Sequence, residues 1–202
     1  MQSHTSSARD GDDDAGSAVR QPPSWEPPDN EVPAGVPSVG LLARTDDVAI
    51  SWVGAQVYST GVAFDLVITA RTSIDALHEH VFGGRRGRGL LLGIEFADGR
   101  RGTLHGEGDV VLHGRGGSGG NRSVHQSYWL NPVPPPGPLT VVVLAPGLGV
   151  AETRTELDGG AFAAAVPDVR ELWPWVPEEA DPGLAEPELD LPADSWFSGP
   201  RA

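Results

Sequence analysis

The chain has 202 residues, no cysteine and a formal charge of −14, which excludes disulfides, thiolate metal sites and cysteine nucleophiles and fits one domain with tails. Residues 1–34 set Arg9 and Arg20 against seven acids, and residues 176–202 set Arg201 against seven more. The eleven arginines and fourteen acids of residues 35–175 leave no basic surface suited to nucleic acid.

Residues 1–34 are rich in Ser, Asp, Pro and Gln. With little to bury they cannot offset the entropy of ordering, so a disordered acidic tail is expected, with no apolar signal-peptide core. Residues 39–44 predict a short strand. In Asp47 to Tyr58 the apolar alternation changes face between Trp52 and Gly54, which predicts a strand with a bulge. Residues 59–61 then form a tight connection to a strand at 62–71, where Val62, Phe64, Leu66, Ile68 and Ala70 share one face.

Leu90, Leu92, Ile94 and Phe96 form the next inward row, and Asp98-Gly99 has the chemistry of a tight hairpin into Gly102 to His105. The run Gly114 to Gly120 reads as a flexible hairpin connection, because no Lys-Ser/Thr follows it to make a phosphate loop. A strand at 123–130 leads into the run Pro132 to Pro138, whose prolines fix φ and remove backbone donors. It is therefore expected to be a rigid crossover, not a displayed polyproline ligand. Strands at 139–145 and 151–158 follow, joined by a turn at 146–149. Asp158 is placed to cap a helix over 160–166, which Pro167 limits, and Leu172, Trp173 and Trp175 are expected to pack over one end of the domain. Residues 176–202 read as a second acidic tail in which Trp196 and Phe197 are the only aromatic pair.

The period of two along residues 35–175 predicts an all-β fold, an antiparallel immunoglobulin-like β-sandwich of about seven or eight strands with one short C-terminal helix. No window has the roughly 18 apolar residues that cross a bilayer, so the expected setting is soluble and cytoplasmic, with no membrane contact.

Chemistry is sparse. Arg85, Arg86 and Arg88 sit in a glycine-flanked loop and could meet an anion or an acidic partner. Trp129, in mid-strand, is either a core residue or a ligand platform. His78 and His80 would share a face if they lay on a strand, and His105, His113 and His125 could join them, yet the sequence supplies no complete ligand set. Glu95, beside Asp98, could in principle be part of a carboxylate pair, but a solvated sheet face is the better explanation. No nucleophile elbow stands between a strand and a helix. No catalytic, cofactor or metal residue is therefore assigned.

Glu95 with Asp98-Gly99-Arg100-Arg101, Tyr128-Trp129, Pro134-Pro135-Pro136-Gly137-Pro138-Leu139, Gly147-Leu148-Gly149 and Glu171-Leu172-Trp173-Pro174 together resemble an actinobacterial protein family of uncharacterised activity over roughly Pro33 to Pro174. The all-arginine cations fit such a GC-rich coding bias. The resemblance implies no catalytic residues, and Asn131, Ala145 and Pro167 depart from its pattern. The expected function is a non-enzymatic cytoplasmic interaction or accessory module with a protein partner. The alternative is a small-molecule or carbohydrate-binding domain, or an enzyme, built on the Gly/Arg-rich loops.

Overall fold

A computed structural model describes residues 22–82, 89–104 and 106–176. The chain opens with an irregular segment and a short strand β1 (Glu31–Val32), then forms β2 (Ala34–Arg44), β3 (Val48–Val57) and β4 (Val62–Ala70). Helix α1 (Leu77–Phe82) precedes β5 (Leu91–Glu95), β6 (Arg101–Thr103), β7 (Val111–Gly119), β8 (Ser123–Asn131), β9 (Pro138–Ala145) and β10 (Val150–Asp158). Helix α2 (Gly159–Ala165) and β11 (Arg170–Glu171) close the described part.

The alternating segments form strands because one face of each can be buried. β4 reads buried at Val62, Phe64, Leu66, Ile68 and Ala70 and open at Asp65 and Thr69. Its partner β3 carries the expected bulge, a register shift between Trp52 and Ala55 with Gly54 at φ 79°. Tyr58 N–H donates to the Gly61 carbonyl at 2.8 Å to close the hairpin. The Asp98-Gly99 turn also forms, with Gly99 at φ 86° and Phe96 N–H donating to the Arg100 carbonyl. Asp158 caps α2 by accepting from Gly160 N–H at 2.9 Å, and Pro167 falls in the 3-10 turn beyond that helix.

Two antiparallel sheets result, in the orders β2-β3-β4-β8-β7 and β10-β9-β5-β6. They share one core. Trp52 stacks on Phe64 at 3.8 Å, Phe64 on Tyr128 at 5.3 Å, and Phe162 of α2 tilts against Trp52 at 6.2 Å. A contact crosses each lateral seam. Thr155 Oγ1 of β10 donates to the Leu42 carbonyl of β2 at 3.2 Å, and a bridge joins Leu104, just past β6, to Leu112 of β7. The proline run crosses from β8 in one sheet to β9 in the other, as its stiffness predicts, and opens on a cis Asn131–Pro132 peptide.

The structure corrects the sequence reading in five places. First, the strand order is not immunoglobulin-like. That fold sets its first two strands beside its fifth and fourth, whereas here the short turns after β2 and β3 keep the first three long strands adjacent. Second, among the described residues nine strands build the two sheets and two more pair outside them, against an expectation of about seven or eight. Third, the glycine run 114–120 is largely strand β7, with a bulge between Gly114 and Gly116. A side chain at Gly117 would come within 2.4 Å of the His125 carbonyl and 2.7 Å of Phe82, so the close packing of α1 and β8 explains the missing Cβ. Fourth, residues 22–34, assigned to a tail, have defined structure, and β2 already begins at Ala34. Fifth, the closing segment buries its aromatics only in part, since Trp175 is half-buried while Trp173 is 59% exposed.

Candidate functional site

Along β8, Tyr128 and Leu130 point into the shared core, so alternation turns Trp129 to the outer face of the five-stranded sheet. An outward tryptophan is usually open to solvent, but Trp129 is fully buried. Part of the reason lies in the β3–β4 turn. A Cβ at Gly61 would lie 2.6 Å from the indole ring and 2.3 Å from the Leu130 carbonyl, so only glycine lets the indole lie this close to the sheet. Tyr58 meets the indole edge-on at 5.6 Å and 77°. Burial raises the Tyr58 phenol above its ordinary range, a shift that the Arg115 charge opposes and Glu31 reinforces.

The segment 22–30, Pro-Pro-Ser-Trp-Glu-Pro-Pro-Asp-Asn, also reaches the indole. The Ser24 carbonyl accepts the indole N–H of Trp129 at 2.8 Å. Pro28 is buried, and Pro22, Pro23 and Pro27 are half-buried, while Ser24, Trp25 and Glu26 face outward. Further along, Glu31 accepts from the Ser59 N–H at 2.9 Å and from the Ser59 hydroxyl, which fixes this strap to the β3–β4 turn. Strand β1 pairs with β11, Asn30 Nδ2 donates to the Trp173 carbonyl at 2.8 Å, and Leu172 N–H donates to the Asn30 carbonyl at 2.8 Å. The strap and the closing segment therefore form a clasp. It carries Trp25 (58% exposed), Trp173 (59%), Leu172 (49%) and Val176 (71%).

The other candidates are dispersed. Arg85, Arg86, Arg88 and His105 lie outside the described residues, as do Trp196 and Phe197. His78 and His80 stand on α1, where residues two apart point to nearly opposite sides, so the shared face expected of a strand is absent. His113 pairs across from Trp129 and His125 from Val67, on different rows of the sheet. Among the described residues no three histidine or acidic side chains gather into a metal-binding group. Glu95 is bound to Arg101 at 3.2 Å, and Asp98 to Arg100 at 2.8 Å. Each carboxylate therefore has its own arginine. The hydrogen bonds from Arg100 hold the Asp98 carboxyl below the usual carboxylate range.

Trp129 was a candidate contact residue from the sequence, but it is not open to a ligand while the strap covers it. The strap itself was missed because its prolines and acids read as tail. The signal available was the pair of Pro-Pro steps around Ser-Trp-Glu, which is stiff enough to order at low entropic cost. No protein-family model, curated protein or solved structure matches the chain.

Proposed function

We propose that the chain is a non-enzymatic interaction module that works in the cytoplasm and meets a protein partner through the clasp. The observation that carries this reading is the exposure of Trp25, Trp173, Leu172 and Val176 on two segments that hydrogen-bond to each other. Large exposed aromatics are enriched at the centres of protein interfaces, and displaying them without a partner costs solubility. No helix among the described residues is long and apolar enough to cross a membrane.

A photo-crosslinking amino acid placed at Trp173, with a control at Glu156 on the four-stranded sheet, tests the reading in native cells. Adducts to one defined protein from position 173 only, lost on Trp25→Ser, are expected. Equal adduct patterns from both positions, or a demonstrated turnover of a metabolite by the purified chain, would overturn it.

A further inference from the structure

The contact between the strap and Trp129 has the chemistry of peptide recognition. Domains that read proline-rich segments do so with a tryptophan and a tyrosine on a β-sheet surface, against which prolines pack with little entropic loss. Here Trp129 lies on the outer sheet face with Tyr58 at its edge. Ser24, whose carbonyl meets the indole N–H, lies in a turn flanked by two Pro-Pro pairs, of which Pro28 is buried. The only hydrogen bond between Trp129's side chain and the strap runs to the Ser24 backbone carbonyl, so that bond reads main-chain geometry and would accept any residue at that position.

We propose that the Trp129–Tyr58 face is a recognition site for a proline-rich segment of another protein, occupied in this state by the chain's own residues 22–30. Three features support a replaceable cover over a permanent part of the core. Trp129 stands outside the cluster that unites the two sheets, so uncovering it leaves that cluster intact. The strap is held at its far end by exposed bonds from Ser59 to Glu31 and by the bonds between Asn30 and the closing segment, none of which involves the Trp129 face. The groove floor is preformed by Gly61, which belongs to the β3–β4 turn and not to the strap. A tethered ligand acts at an effective concentration in the millimolar range, so a partner segment binds measurably only once the strap is loosened. This inference does not rest on the exposed clasp residues and can fail without them.

The test uses the full chain labelled with nitrogen-15, reading the Trp129 indole N–H, and a synthetic peptide of residues Pro22 to Asn30 as probe. In the unaltered chain the peptide is expected to produce no shift below millimolar concentration. In the Pro27→Ala/Pro28→Ala variant the same peptide should bind at least tenfold more tightly, and a peptide with alanine at all four prolines should not bind. Trp129→Phe in that background should weaken binding about tenfold, the loss of one hydrogen bond to a carbonyl. Glu31→Ala, which removes both bonds to Ser59 without touching the strap's prolines, serves as a second background should the double variant fold poorly. Failure of the peptide to bind in either background while the indole N–H exchanges freely with solvent would overturn the proposal. So would equal binding by Trp129→Phe, or a concentration-dependent dimer that forms with no response to peptide.

Discussion

Tyr128 sits in the aromatic stack between the sheets, and burial pushes its phenol well above the ordinary range near 10. The folded chain therefore keeps a proton that the unfolded chain releases around pH 10. The stability tied to this residue is complete below that pH and is lost as pH rises through it, at about 1.4 kcal/mol per pH unit. Urea denaturation of the wild type and of Tyr128→Phe from about pH 9 to 11 should show the steeper fall in the wild type. Equal slopes would mean that the phenol reaches solvent. Tyr58, whose phenol is raised in the same direction but is only partly buried, contributes a smaller share of the same sign.

At the scale of elements, glycine divides into two uses. Gly61 is required by contact, because a methyl group there would meet the Leu130 carbonyl and the Trp129 ring at once, and neither can move away cheaply. Gly35 on β2 has nothing within 4 Å of its would-be Cβ. Gly61→Ala should therefore cost about 2–4 kcal/mol of unfolding free energy, against about 0.5 kcal/mol or less for Gly35→Ala. Equal losses in chemical denaturation would show that the indole does not press on the β3–β4 turn. The same distinction explains what the sequence revealed. β3, β4, β10 and, as far as Tyr128, β8 were legible because their side chains alternate in exposure, and β5 and β9 because they are short apolar runs bounded by turns, β9 with Val141, Val142 and Val143 all buried. β7 was not, since a strand of Gly-Arg-Gly-Gly-Ser-Gly has no side chains with which to show a period. α1 was hidden by brevity, and its two buried residues, Leu77 and Val81, are too few to establish a helical stripe. Of the candidate site, Trp129 could be named from sequence, but its face could not, because the covering segment reads as tail when its partner is unknown.

For the whole molecule, the decisive point is that both sheets and α2 bury side chains in one cluster. Phe162 has no exposed surface and reaches Trp52 from the helix, so it fills space that neither sheet can close alone. Phe162→Ala should cost about 3–5 kcal/mol, while unfolding remains a single transition seen alike by circular dichroism and tryptophan fluorescence. Two separated transitions would show that the sheets unfold as independent units.

The pairing of Glu31 with Glu171 and of Val32 with Arg170 also has a topological consequence. It closes a circuit through almost the entire described chain. Bringing together points this far apart costs roughly 4 kcal/mol in loop-closure entropy, more than two register pairs return, so the clasp can form only after the sandwich has brought those points together. Entry and exit then lie side by side. A short linker could join them and the chain be reopened at an exposed turn such as Asp98-Gly99, a circular permutation that keeps every strand neighbour. By the same geometry the sandwich could be inserted whole into a surface loop of another protein without prying that loop apart.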